Sequence, residues 1–324
     1  MVPMMTVFVH ESGRTRQTDA LDPAWLRPDS GVIVWLDLAA PAPAPARVLS
    51  EVFHFHELAV EDALSEVHHP KIEAYDGYVY LILHGIDFEE AQHRFATHDV
   101  DFFLGVNYLV TVHDGTSRSV ARMRDVCPRN DLVLAEGPAA LLYRIVDTMV
   151  DNYRPEVDRL EDQLDRVEEE VFEHPRAELM RKILALKRDV ASLRRVTLPQ
   201  RDAVGRLARR EFPFVGESLA YRFRDVHDHL VSLADEATNF QDRITSLLDA
   251  HLANQSNQLS HTMRVLTVIA TIFMPLTLLT GMFGMNVELP AFVSDGRAGF
   301  WEIGAGMLVV SGVMLWVFRT RHWI

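Results

Sequence analysis

A chain of 324 residues with 46 acidic and 32 basic side chains carries a formal charge of −14. That balance excludes nucleic acid as a partner, because binding phosphate needs a basic surface, and it suits a protein that meets cations. The single cysteine, Cys127, excludes an internal disulfide and fits a reducing compartment. MVPMMTVFVHESGR has no basic segment followed by a long apolar core, so no cleaved signal peptide is expected.

In chain order, residues 1–138 read as an α/β domain. VIVWLDL (32–38), EAYDGYVYLILHGID (73–87) and DVDFFLGVNYLVTVHD (99–114) are aromatic and β-branched strand candidates. APAPAPA (40–46) reads as a turn or linker, and Arg47–Ser65 and Ser117–Cys127 carry helical spacing. The middle is all helix, first Ala139–Glu173, then a break at Pro175, then Arg176–Glu211. The first of these is acidic (DRLEDQLDRVEEEVFE) and the second basic (RKILALKRDVASLRR), so an antiparallel hairpin would pair their charges. From about Glu217 a helical pattern meets no Pro or Gly before the apolar region. Continued to Met285 it would run roughly 100 Å at 1.5 Å per residue.

Mean hydropathy over the whole chain is zero, which hides an apolar C-terminal stretch. VLTVIATIFMPLTLLTGMFGM (265–285) has no charge and is about the length that crosses a bilayer core. Pro275 would break a soluble helix but is tolerated in a span. FWEIGAGMLVVSGVMLWVF (300–318) is the second span, interrupted only by Glu302. Arg319, Arg321 and His322 follow it, and the positive-inside rule places the C-terminus in the cytoplasm. Two crossings then put the N-terminal part there too, and Asn286–Gly299 outside. The competing reading is a buried helical hairpin of a soluble domain.

The most specific pattern is a ladder of seven-residue steps along the long helix: Asp228, Asp235, Asp242, Asp249, Ser256, Met263, Ala270, Thr277, Gly284. Thr267, Met274 and Gly281 fill the intermediate positions. A seven-residue repeat keeps to one face if the helix supercoils against copies of itself. Coiled-coil seams want apolar residues there, not four aspartates, so the ladder reads as the wall of a path between identical helices. Aspartates would form stacked acidic rings, and Met263, Leu266 and Met274 apolar constrictions, with Ser260, Ala270, Thr277 and Gly281 also lining the bore. The plainer alternative is a solvated face followed by small residues that permit close packing.

Other motifs carry less. His54-x-His56-Glu57 resembles a metal site, but HELAVED has Glu61 where a zinc-protease signature needs its second histidine. His56, Glu61 and Asp62 therefore read as structural, and His68 and His69 as turn residues before Pro70. No G-x-x-x-x-G-K-[ST] loop exists to support ATP-driven transport, and no nucleophile–base set supports an enzyme.

Gly284-Met285-Asn286, closing TVIATIFMPLTLLTGMFGMN, resembles the signature of the CorA family of magnesium and cobalt channels. FHFHELAVEDAL with HPKIEAYDGYVYLIL (53–83) resembles that family's cytoplasmic domain, and YRFRDVHDHL (221–230) its stalk helix. The resemblance implies an α+β multidomain membrane protein. Its parts are a cytoplasmic α/β domain (1–138), a helical hairpin and long stalk helix (139–260), and a transmembrane domain (261–324) with spans near 265–285 and 300–318. It implies a homopentamer in the inner membrane, both termini cytoplasmic, passing Mg²⁺ and Co²⁺ with no organic cofactor. It also implies a regulatory Mg²⁺ between subunits, with Asp225 and Asp87 at the matching positions. Mg²⁺ gives up its water reluctantly, so five neutral Asn286 carbonyls at the outer mouth would hold a hydrated ion without trapping it. A helix-capping role for Asn286 is the alternative. Glu288 and Asp295 would add a mild negative field outside. The loop departs from the magnesium pattern at Ala291, where glutamate is usual, and faintly resembles the ZntB-type zinc transporters. Magnesium influx is the expectation, with zinc transport as one alternative and a membrane-anchored coiled-coil scaffold as another.

Overall fold

The computed structural model describes residues 5–40, 43–65, 69–89, 94–173, 178–285, 297–321 and 323, without the side chains of 43–45, 87–89, 94–96 and 172–173. The chain divides into two compact units, Met1–Leu248 and Asp249–Ile324.

The first unit is built on a seven-stranded mixed sheet, in the order β2-β1-β3-β7-β6-β5-β4. Its strands are β1 (Met5–Glu11), β2 (Arg14–Thr18), β3 (Ile33–Ala39), β4 (Lys71–Tyr75), β5 (Tyr78–Glu89), β6 (Arg94–Leu104) and β7 (Tyr108–His113). Only β3 and β7 run parallel; every other neighbour pair is antiparallel. Central strands read as continuous apolar runs because both faces of the sheet are covered. Val7, Phe8 and Val9 are all fully buried. The opening hairpin β1–β2 carries no separate expectation in the sequence, and its TVFV run belongs to this core.

Two expected strands are hairpins. Within 73–87, Tyr75 pairs with Tyr78 across Asp76-Gly77, and Gly77 takes φ +83° at the second central position, a conformation glycine adopts without steric cost. Within 99–114, β6 turns into β7 through Gly105–Asn107. The helical spacing of 47–65 resolves into α1 (Pro43–Glu51) and α2 (Glu57–Leu64). Between them the chain reverses through His54 at φ 54° so that Phe55 can stack on Phe103 at 4.2 Å. The aromatic core thus overrides helical spacing, and the expected linker at 40–46 is already helical from Pro43.

On the opposite side of the sheet lie α3 (Arg118–Val126), α4 (Leu132–Ala135) and α5 (Pro138–Asp151). The expected helix 139–173 is interrupted at Asn152, and α6 is Tyr153–Glu173. Pro155 has no N–H for the Asp151 carbonyl, so the break falls where the ladder of bonds fails. The next helix, α7, runs Leu179–Ala208 and carries Pro199 inside it. It stops short of Glu211 because Arg210 takes φ 59°. The expected break at Pro175 lies outside the described residues.

Beyond Leu83, β5 has no β4 partner, and helix side chains take over as its edge. Gln200 Oε1 accepts from the His84 N–H at 2.5 Å, and the Tyr153 hydroxyl donates to the His84 carbonyl at 2.7 Å. Gln200 Nε2 closes the ring by donating to Tyr153 at 2.9 Å. All three residues are buried, where an unmet backbone group would cost about 1–3 kcal/mol.

The charged hairpin differs from its expected pairing. Lys182 of α7 does meet Glu170 of α6 at 2.6 Å. Two other α6 carboxylates turn to Arg243, Asp165 at 2.5 Å and Glu168 at 2.8 Å. Arg243 belongs to α8, the single helix Glu217–Phe283 of 67 residues. Within the first unit α8 buries Phe223, Val226, Leu230, Ala237, Phe240 and Ile244, the three-and-four spacing of one helical stripe.

The second unit holds the rest of α8 and α9 (Arg297–Thr320). Both are long and apolar enough to cross a membrane. Pro275 leaves α8 unbroken. Leu279 and Phe283 of α8 share one cavity wall with Ile303, Gly306, Met307 and Val310 of α9, so the two helices meet along that side. Away from it, Leu308 is 76% exposed and Trp301 72%.

Candidate ion-conduction site

The face of α8 that carries the seven-residue ladder is free of the chain's own packing. Asp225, Asp228, Asp235, Asp242 and Asp249 are all exposed, as are Ser256, Ser260, Met263, Leu266, Thr267, Ala270, Met274, Thr277, Gly281, Gly284 and Met285. Met274 reaches 74% exposure. Positions two further on, Ile272, Leu276 and Leu279, are half-buried. At 100° per residue they point about 200° away, toward α9. In the span, one side of α8 therefore meets α9 and the other presents the ladder.

The chemistry of the ladder face follows from local bonds. The Thr277 hydroxyl donates to the Phe273 carbonyl at 2.8 Å. Its proton is thus committed within the helix, which leaves its lone pairs free as acceptors. Thr267 does the same toward Met263 at 2.7 Å. Gly284 ends the helix by donating from its N–H to the Thr280 carbonyl at 2.9 Å, and a Cβ there would sit 2.9 Å from that same oxygen. Only glycine fits this turn. At Gly281 a Cβ would meet nothing within 4 Å, so no described residue of the chain requires glycine at that position. Asn286, Glu288 and Asp295 lie outside the described residues.

A second constellation lies on helices of the first unit, and sequence reasoning found only one member of it. Asp147 and Asp151, one turn apart on α5, act electrostatically with Asp225 and His229 of α8. Burial raises the Asp147 carboxyl above its ordinary range, and the charges of Asp151 and Asp225 add to that. His229 and a hydrogen bond from Tyr143 oppose the rise. A cation would relieve the stress among three carboxylates. The available signal was an i,i+4 acidic pair in DTMVD, easily lost among the chain's 46 acidic residues. Asp87 lies on β5, and its side chain is outside the described set.

The remaining motif residues have structural partners. His56 caps α2, its Nδ1 accepting from the Leu58 N–H at 3.3 Å, while the Tyr78 hydroxyl accepts from the His56 N–H at 3.0 Å. Asp62 pairs with Lys71 at 2.6 Å. Glu61 and His69 are exposed, and His68 is outside the described residues. Among the described residues no group of three His, Cys, Asp or Glu could hold a metal ion.

A sheet-based N-terminal domain, a long helix and two candidate C-terminal spans define a membrane ion-transport architecture. The family model described as "CorA-like Mg2+ transporter protein" matches residues 30–320, and the chain belongs to that family of Mg²⁺/Co²⁺ transporters. It is 30% identical to the putative metal ion transporter YfjQ of Bacillus subtilis over 89% of each chain. It is 29% identical to the cobalt/magnesium transport protein CorA of Thermotoga maritima, covering 100% of this chain and 92% of that one. The complete structure of the CorA magnesium transporter from Methanocaldococcus jannaschii shares the fold, with a TM-score of 0.85 at 22% identity over 100% of both chains.

Proposed function

We propose that copies of this chain assemble around the ladder face of α8 and pass hydrated Mg²⁺, and Co²⁺ with it, into the cytoplasm. The observation that carries this reading is the free ladder face itself, uncovered from Asp228 to Gly284 while α9 occupies the reverse side in the span. Its five-subunit form follows the family resemblance, with both termini in the cytoplasm of a cell-membrane protein. The functional parts are the cytoplasmic domain of residues 1–138, the stalk of 139–260 and the transmembrane domain of 261–324.

Transport follows the electrochemical gradient, and an inside-negative potential contributes about 2.3 kcal/mol per charge per 100 mV. Asn286 offers neutral carbonyls at the outer mouth, next to the forced turn at Gly284, and so captures the ion without stripping its water. The threonine oxygens of the span accept from the hydration shell. Met263, Leu266 and Met274 close the bore by dewetting. The cytoplasmic aspartate ladder collects the emerging cations, and Ser260 stands at its junction with the apolar bore.

Feedback arises at Asp225 and Asp87 between neighbouring copies, with Asp147 and Asp151 adding negative field beside Asp225; no three carboxylates of one chain, among the described residues, close on a metal by themselves. Bound Mg²⁺ neutralises carboxylates that otherwise repel, and holds the closed assembly. When cytoplasmic Mg²⁺ falls, the cation leaves and the population shifts to the open form.

The test is divalent influx into proteoliposomes holding a Mg²⁺-sensitive dye, with wild type beside Asn286→Ala. Influx in wild type and its loss in the variant is the expected result. Folded wild-type protein that passes no Mg²⁺ under a negative potential would overturn the proposal. Zn²⁺ influx would then support the zinc branch, and silence toward both ions the scaffold.

A further inference from the structure

The middle of α7 carries four cations that no carboxylate among the described residues meets. At its ends, Arg181 pairs with Glu178, Lys182 with Glu170, Arg201 with Asp202 and Arg206 with Glu211. Between them, Lys187, Arg188, Arg194 and Arg195 have no ion pair among the described residues, and Arg194 bonds only the neutral Gln241, at 2.8 Å. A cationic patch left unpaired in a chain of net charge −14 runs against the rest of the molecule.

Three of these cations, Lys187, Arg194 and Arg195, rim a cavity of about 380 Å³ between α7 and α8. They stand at i, i+7 and i+8, so one helical face presents them over about 12 Å. The floor is apolar and includes Val190, Pro199 and Ile244. Val190 and Ile244 are almost fully buried. The volume falls in the range of small-molecule sites.

We propose that this groove binds a nucleoside polyphosphate, with the phosphates on Lys187, Arg194 and Arg195 and the base against the apolar floor. Three unmatched cations call for an anion of several charges, since a single carboxylate would neutralise only one. Guanidinium groups match phosphate oxygens in fork geometry, and Gln241 already holds the Arg194 fork in place. The floor gives a flat apolar ring a place that inorganic phosphate would leave empty. Because Mg²⁺ cancels half the charge of a nucleoside triphosphate, the site prefers the metal-free anion. Its occupancy therefore rises as free Mg²⁺ falls. This site is independent of the proposed ion path.

The test is fluorescence-polarisation titration of full-length detergent-solubilised protein with a labelled adenosine triphosphate, in chelator and again with excess Mg²⁺. Saturable binding should weaken in Mg²⁺ and at high salt. The double variant Arg194→Gln, Arg195→Gln should weaken it by roughly 10- to 100-fold, while Arg188→Gln, which lies off the groove, should leave it unchanged. Arg188→Gln also serves as the folding control. Inorganic tripolyphosphate should compete less well than the nucleotide; equal competition would overturn the role given to the apolar floor. No binding by wild type at millimolar nucleotide, or binding insensitive to the double variant, would overturn the site. A double variant that instead changes the oligomer in light scattering would assign the patch to the acidic α6 of a second copy, also against the proposal.

Discussion

The two parts of α8 keep one seven-residue ladder but treat the rest of their surface in opposite ways. Up to Leu248, apolar side chains such as Phe223, Val226 and Leu230 are buried and the ladder positions are aspartates. From Val265 to Phe283 only Val268 is buried, and the exposed side chains include Val265, Leu266, Ile269, Phe273, Met274, Leu278 and Met282. In water that second surface would be a large apolar patch without a cover. The difference therefore reports the solvent: aqueous for the first part, lipid or another copy for the second. One helix can serve both because the helical backbone satisfies its own hydrogen bonds in either medium.

The largest effect that sharpens this contrast lies in the aqueous part. Phe223 is fully buried and stands edge-on to Tyr143 at 5.7 Å. Phe223→Ala should cost about 3–5 kcal/mol, seen as a large fall in the thermal midpoint of the first unit. A loss below about 1 kcal/mol would mean that this stripe is not the core. The matching experiment on the second unit reverses the logic and charges an exposed residue. Leu308→Lys should disfavour insertion by about 2.5–3.5 kcal/mol at mid-span, read as loss of protein from the membrane fraction. Asp235→Lys, equally a change of an exposed residue, should leave insertion unchanged. Equal membrane recovery of both variants would remove the argument for lipid around α9.

That contrast was largely legible in the sequence, because it rests on periodicity and apolar length, which need no tertiary information. The ladder, the two spans and the long α8 all fall into this class. What stayed hidden depends on partners distant in the chain. Phe55 breaks a helical pattern only because Phe103 waits across the fold, and Gln200 looks like any helix surface residue until His84 needs an edge partner. Arg243 was expected in no pairing, yet it draws Asp165 and Glu168 away from α7. Asp147 likewise gains meaning only when α5 and α8 bring it near Asp225. The turn at Gly284 belongs between these cases: its glycine stands plainly in the sequence, but the oxygen of Thr280 that crowds a Cβ there is a fact of geometry.

Within the first unit a pH experiment separates buried acid from exposed acid. Asp101 is 4% exposed and accepts a hydrogen bond from the Tyr80 hydroxyl. Burial pushes its carboxyl up to about 8, with Asp99 and Asp62 adding to the rise against the opposing Tyr80 bond and Lys71. A raised carboxyl contributes stability that is complete below the ordinary carboxylate range and is lost as pH climbs through about 8. The thermal midpoint should therefore fall between about pH 5 and pH 8 and level off above about 8, and Asp101→Asn should flatten that fall. An unchanged slope in the variant would assign the loss to other groups. The exposed Asp235 offers the control, since Asp235→Asn should not alter the slope.

The smallest effect concerns the carboxylate cluster, where stability and cation response should move in opposite directions. Asp147 is raised by burial and by Asp151 and Asp225, so its charged form is under stress when no cation is near. Asp147→Asn removes one repelling charge and should raise stability in chelator slightly, by less than about 1 kcal/mol, because the group is partly solvated. Mg²⁺ stabilises whichever state binds it, in proportion to the charge that holds it there. The rise in thermal midpoint on adding Mg²⁺ should therefore shrink in Asp147→Asn, while Glu169→Gln, an exposed carboxylate on α6, should keep the full rise. A variant destabilised in chelator would show that Asp147 is held by Tyr143 and His229 as an ordinary structural carboxylate. A full Mg²⁺ response with Asp147 neutralised would move cation sensing off α5 and onto α8 alone.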